Sequence, residues 1–251
     1  MDAPDLEQAR ACLRASALAY SNPANSASGI WAEGTGLRIQ TSLAHVLVTD
    51  ITGADGLRTK LIAFRGTAAP LDLLTDVRIW RKPIDGYTVH AGFLQAWESV
   101  QYRILEGVAA VRYVVTGHSL GGALACLCAL AIESRAPGAV LAVHTFGQPR
   151  IGGAGFALSY RTALGSRTWR WVNEEDVVAR LPGVLSGYVH AGREVFIPAL
   201  GPWRVDPPLW FKIVSDAIGA WREWRDGRLA LTADHHIAAY LAKLSALTCA
   251  L

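Results

Sequence analysis

The chain has 251 residues, 51% of them hydrophobic and 18% charged, which is enough apolar material for a sizeable core and too little charge for a disordered segment. Its 24 Lys and Arg against 21 Asp and Glu leave a formal net charge of +3, and the basic residues are scattered among acids, which argues against a nucleic-acid partner. The first residues carry Asp2, Asp5 and Glu7 with no apolar segment, so they do not read as a secretory leader, and the default expectation is a cytoplasmic protein.

In chain order, residues 5–20 place Leu6, Ala9, Leu13, Ala17 and Tyr20 at helical spacing and stop at Ser21-Asn22-Pro23. A small, polar loop over 21–36 follows. Residues 43–50 and 57–65 read as strands joined through Thr52-Gly53-Ala54-Asp55-Gly56, a hairpin signal. Residues 71–80 have the spacing of a short amphipathic helix that ends before Lys82-Pro83, and His90-Ala91-Gly92-Phe93 opens a helix running to about Gly107. From Val111 onward, strands and helices alternate: a strand to Thr116, a helix from Ala123, a strand over 139–146, a helix over 154–164, a strand over 168–172 and a strand near 194–197. That alternation indicates an α/β fold with a mostly parallel sheet covered on both faces. The chain, residues 1–251, reads as a single domain, with an insert around 198–228 that holds Trp203, Trp210, Trp221 and Trp224. Within it, 209–224 can be written as a helix with Leu209, Ile213, Ala217, Ala220, Trp221 and Trp224 on one side, either packed on the sheet or forming an aromatic, interface-facing cap. A last helix covers 234–246.

Among the four cysteines, Cys126 and Cys128 diverge on their helix, and a Cys12–Cys249 bridge is an alternative to buried free thiols. The run over 113–132, uncharged apart from His118, has the length of a membrane span. Its central glycines and its change from strand-like to helix-like character make it a buried strand–turn–helix instead.

The chemistry concentrates in that turn, Gly117-His118-Ser119-Leu120-Gly121-Gly122. Strand, Gly-x-Ser-x-Gly, helix is the setting of a nucleophile elbow: side chains two before and two after the serine would meet backbone, and the serine is held strained with its Oγ presented above the sheet. A serine hydroxyl needs a base, and the base needs an acid to hold its tautomer. Elbow hydrolases order these as serine, acid, histidine. After a predicted strand come Glu174, Glu175 and Asp176, and at the head of the last helix come His235 and His236; position alone does not separate either set. The adjacent histidines diverge on a helix and no other ligand spacing accompanies them, so no metal and no cofactor is expected. Two donors must meet a developing oxyanion: the Leu120 N–H directly after the serine, and a group from Gly66-Thr67 at the end of an earlier strand.

These blocks, in order, are Ala63-Phe64-Arg65-Gly66-Thr67, Val89-His90-Ala91-Gly92-Phe93, Val115 to Ala125, Thr145-Phe146-Gly147-Gln148-Pro149-Arg150-Ile151-Gly152, the acidic loop through Leu181-Pro182, Gly187 to Gly192, and Asp234 to Tyr240. Together they resemble the class 3 lipases, the fungal-type lipases of the α/β-hydrolase superfamily, over about residues 40–242. The resemblance implies Ser119 as nucleophile and Thr67 with Leu120 as oxyanion donors. Its Asp-x-Val/Ile-x-x-Leu-Pro setting selects Asp176, and its Asp-His-x-Ile-x-x-Tyr pattern selects His235. It also implies a carboxylic ester hydrolase acting on triacylglycerols or partial glycerides at a lipid–water interface, with phospholipase A1, short-chain carboxylesterase or a non-catalytic lipase-like binding module as the alternatives. The fungal lid lies after Thr67 and centres on a Trp; here the matching position is Leu73, with Trp80 further on, and the Trp-rich insert has no fungal counterpart.

Overall fold

A computed structural model describes residues 3–21, 36–52, 56–66, 81–84, 86–106, 108, 111–174, 176–198, 200–215 and 235–247. Its strands are β1 (Leu37–Gln40), β2 (His45–Thr52), β3 (Arg58–Phe64), β4 (Arg81–Ile84), β5 (Tyr87–His90), β6 (Arg112–His118), β7 (Val140–Phe146), β8 (Thr168–Asn173), β9 (Arg193–Ile197) and β10 (Arg204–Val205). All except β4 and β5 lie in one eight-stranded sheet ordered β1-β2-β3-β6-β7-β8-β9-β10. The centre, β3-β6-β7-β8-β9, is parallel, and the outer pairs are antiparallel. This is the architecture that the strand–helix alternation implied.

Successive side chains on a strand point to opposite faces, so each central strand feeds two cores. Ile62, Phe64, Tyr113 and Val115 face the helices Ala91–Leu105, Leu120–Arg135 and Ala154–Leu164. Leu61, Ala63 and Val114 face the first helix, Leu6–Leu18, and the last, Ile237–Ala246. Strands buried on both faces must be apolar throughout, which is why 111–116 and 139–146 read as short continuous runs. Each fully buried Val, Leu or Phe contributes roughly 1.5–3 kcal/mol. The helix Leu120–Arg135 is buried at every position from Leu120 to Leu130, as expected of a helix built from Ala, Leu, Gly and Cys on all sides. The first helix starts at Asp5, whose carboxylate accepts the Gln8 N–H at 3.0 Å.

One expectation changes. The break at Lys82-Pro83 is a strand: β4 pairs with β5 in a separate two-stranded ribbon with Pro83 opposite Thr88, an edge position where a missing N–H is tolerated. The two Val-His-Ala-Gly segments, at 89–92 and 189–192, meet at one residue, since Val89 and Val189 both bridge to Gly152. In the insert, residues 209–215 are helical, and of the two arrangements left open by the sequence the apolar face meets solvent, not the sheet. Leu209 and Trp210 are 69% and 65% exposed, Ile213 and Val214 are exposed as well, and Phe211 packs instead. Phe211 lies edge-on to Phe196 with ring centroids 6.3 Å apart, and the Arg204 guanidinium covers it at 4.5 Å. The predicted helix 71–80, Cys249 and the remainder of the insert after Ser215 lie outside the described residues, apart from 235–247. Cys12, Cys126 and Cys128 are buried free thiols. No helix among the described residues is long and apolar enough to cross a membrane.

The outward orientation of the insert helix is testable by denaturant unfolding. Phe211→Ala should cost about 1–3 kcal/mol, whereas Trp210→Ala should stay within about 0.5 kcal/mol of wild type. Equal losses would mean that both rings are packed.

Candidate active site

β6 ends at His118 and the next helix begins at Leu120, so Ser119 alone makes the turn. Its backbone sits at φ 58°, ψ −129°, a conformation an L-residue holds only under constraint. The constraint is the crossing of strand and helix. A Cβ on Gly117 would lie 2.1 Å from the Gly121 carbonyl oxygen, and one on Gly121 would lie 2.3 Å from that of Phe64. The Ser119 N–H is tied to the Phe146 carbonyl at 2.9 Å, which locks the turn to β7. As the first helical residue, Leu120 has no intrahelical acceptor for its N–H, and the positive end of the helix dipole points at the Ser119 side chain.

β8 delivers the acid. Asp176 is buried, and its Oδ1 accepts the Val178 N–H at 2.9 Å and the Ala179 N–H at 3.3 Å. The Tyr240 hydroxyl donates to Oδ2 at 2.7 Å while accepting the Asn173 N–H at 3.0 Å. His235 Nδ1 stands 2.9 Å and 3.0 Å from the two carboxylate oxygens. An ionised carboxylate only accepts, so Nδ1 carries the proton and Nε2 is left basic. The structure therefore brings Asp176 and His235 together. Glu174 is engaged elsewhere, with Lys243 at 2.8 Å, and His236 is solvent-exposed at the helix N-cap. Glu175 and Thr67 lie outside the described residues. Gly66, just before Thr67, runs against the elbow so closely that a Cβ on it would be 2.9 Å from the Cβ of Ser119.

Ser119 Oγ and His235 Nε2 are both buried, and neither has a hydrogen-bond partner among the described residues. Buried polar atoms are normally paired, so two orphans on a serine and an imidazole mark a place where chemistry is prepared. Among the described residues, no group of three or more His, Cys, Asp or Glu gathers as metal ligands would.

Four neighbours carry no role in the sequence reading. Gly147, at φ 61°, passes so near the pair that a Cβ would meet Asp176 Oδ2 at 2.6 Å and His235 Nδ1 at 2.9 Å. Tyr240 was visible as the aromatic five residues after His235, but nothing in the sequence tied it to the acid. His118 and Tyr20 gave no signal, since their partners lie about a hundred residues away.

Burial alone would raise the Asp176 pKa. The hydrogen bonds from His235, its nearby charge, the Tyr240 hydroxyl and the Ala179 N–H outweigh that effect and hold the carboxyl below its ordinary range. A depressed pKa in the folded state contributes stability that is fully present above the unfolded carboxylate pKa and is lost as pH falls through the folded value. Asp176→Asn should thus lower the urea midpoint at neutral pH, and the gap to wild type should close on acidification below the ordinary carboxylate range. A gap independent of pH would show that the carboxylate charge is not what the site holds.

Comparison with known proteins places this geometry. The family model described as "Lipase (class 3)" matches residues 61–186, about half of the chain. A lipase of Rhizomucor miehei is 36% identical over 168 residues, covering 62% of this chain and 46% of its own. A secreted mono- and diacylglycerol lipase of Fusarium solani is 31% identical over 183 residues, covering 69% of this chain and 53% of its own. The chain thus spans about half the length of the curated relatives it matches. A solved triacylglycerol lipase, whose catalytic centre is described as a serine protease triad, superposes with a TM-score of 0.65 at 29% identity, over 82% of this chain and 84% of that one. The fold is that of the α/β-hydrolases.

The cytoplasmic expectation is overturned, because relatives this similar include secreted lipases. Burial raises the thiol pKa of Cys12, Cys126 and Cys128.

Proposed function

The chain belongs to the class 3 lipase family, and we propose that it hydrolyses carboxylic esters of lipids, triacylglycerols or partial glycerides, through an acyl-enzyme on Ser119. The observation that carries this reading is the alignment of Asp176 with His235 Nδ1 at 2.9 Å, while His235 Nε2 and Ser119 Oγ lie buried and unpartnered. The relatives named as triacylglycerol and mono- and diacylglycerol lipases support the substrate class.

In this reading Ser119 Oγ attacks the ester carbonyl carbon as its proton passes to His235 Nε2, and the carbonyl π pair moves onto oxygen. Asp176 stabilises the imidazolium without taking the proton. The Leu120 N–H, at the positive end of its helix, and Thr67, which follows the tightly packed Gly66, receive the oxyanion. Collapse of the tetrahedral species breaks the C–O bond, and His235 returns its proton to the departing alcohol. Water then repeats the sequence on the acyl-enzyme and releases the fatty acid. The exposed apolar side chains of Leu209, Trp210, Ile213 and Val214 suit work beside a lipid phase.

Hydrolysis of p-nitrophenyl esters, triacylglycerols, diacylglycerols and phospholipids, with fluorophosphonate labelling, tests the proposal. Ser119→Ala should lose labelling and lower kcat by at least about 10⁴-fold, in the range of triad deletions. His235→Ala should do the same and His236→Ala should not. Retained turnover in Ser119→Ala would end the reading, and a preference for phospholipids or short acyl chains would redirect its substrate class. Gly147→Ala, which drives a methyl group into the acid–base pair, should lower kcat on the order of 100-fold.

A further inference from the structure

A second hydrogen-bond chain runs behind the proposed triad. The Gly66 N–H donates to the Tyr20 hydroxyl oxygen at 3.1 Å, Tyr20 Oη lies 2.8 Å from His118 Nδ1, and His118 Nε2 lies 2.7 Å from the His235 carbonyl oxygen. It links three elements far apart in sequence: the end of the first helix, the loop that leaves β3 beside the nucleophile, and the entry to the last helix.

Only one proton arrangement satisfies it. The His235 carbonyl can only accept, so His118 Nε2 carries the hydrogen. His118 is fully buried, and its pKa falls to about 3 through burial first and the neighbouring His235 second, so the ring is neutral. A neutral imidazole protonated on Nε2 must accept at Nδ1, so the Tyr20 O–H donates there, which leaves the Tyr20 oxygen to accept from Gly66. Burial lifts the Tyr20 pKa to about 12, so its proton stays in place through neutral pH. Direction is thus set at every link, from the Gly66 amide to the His235 carbonyl. The rings reinforce the line: His118 lies 4.8 Å, centroid to centroid, from His235, and Tyr20 meets His118 edge to face at 5.9 Å.

We propose that Tyr20 and His118 are positioning residues that hold Gly66 and the base His235 in one register around Ser119. The inference rests on the proposed function for its kinetic consequence, but not for its proton arrangement. Asp176, itself held by the Tyr240 hydroxyl, engages the His235 ring, and His118 engages the His235 carbonyl oxygen. Gly66 can serve because a Cβ there would fall 2.3 Å from the Tyr20 oxygen, so any larger residue displaces the link.

The test uses the full chain with Tyr20→Phe, which removes one oxygen and keeps the ring, with His118→Gln, and with both together. Tyr20→Phe should lower kcat about 10- to 100-fold with KM within about twofold, because misplacement of groups around the reacting atoms costs rate rather than ground-state binding. The double variant should be no slower than the slower single one, since each cuts the same chain. Unchanged kcat in Tyr20→Phe, or losses that multiply in the double variant, would overturn the proposal. Should the His118→Gln protein not fold, Tyr20→Phe decides alone. A readout independent of turnover is the ¹⁵N spectrum of histidine-labelled protein, which should show His118 as the Nε2–H tautomer at pH 7. A Nδ1–H tautomer would refute the chain even in a fully active enzyme. Conversely, loss of Ser119-dependent hydrolysis from the wild type would refute the function and leave this arrangement standing.

Discussion

Everything in the site is referred to one steric fact, the passage of β6 into its helix through a single residue. Gly117, Gly121 and Gly66 let three backbones approach where any Cβ would meet an oxygen or carbon below 3 Å. That closeness forces Ser119 to a positive φ, and the strain is borne by a helix buried on every side and by a strand paired on both edges. The geometry needed for attack is therefore a property of the most tightly packed part of the molecule. The backbone of the serine is fixed by its neighbours, and Gly66 passes so close that a Cβ on it would lie 2.9 Å from the Ser119 Cβ.

Around this rigid point the polar groups are arranged so that each has one state. Asp176 is ionised despite its burial, because four donors surround it; His118 is neutral because burial and His235 both oppose a second charge. His235 sits between them, with one nitrogen engaged and one buried and unpaired. Elsewhere charge is compensated locally: buried Arg170 meets Glu194 at 2.6 Å, and Lys212 meets the same carboxylate at 3.1 Å. At the elbow, Ser119 Oγ and His235 Nε2 are left without a hydrogen-bond partner among the described residues.

How much of this was legible in the sequence depended on the range of each signal. Ser119 is announced by neighbours two residues away, because the steric rule of the elbow is local. The parallel strands are announced by their apolar runs, because both of their faces are covered. Asp176 and His235 needed family motifs, since Glu174 and His236 have the same residue chemistry and only three-dimensional placement divides them. Tyr20, His118 and Gly147 were silent, because each acts through contacts that no spacing rule links. The β4–β5 ribbon was obscured by Pro83, a residue that ends central strands but not edges. The insert helix at 209–215 stayed open between two arrangements because periodicity finds an apolar face without saying whether the sheet or the solvent receives it.

The clasp between the first and last helices gives the molecule an order of assembly. The Arg10 guanidinium reaches the carbonyls of Leu244 and Leu247, a closure spanning more than 230 residues, and the same pair of helices brings Tyr20 and His235 to the elbow from opposite ends of the chain. Loops of that length close late, after the locally connected strands and helices have condensed. Ser119 and His235 thus depend on contacts of different range. A chain with its sheet and elbow already formed would still lack the contact of His235 with Asp176 until the first and last helices close on each other.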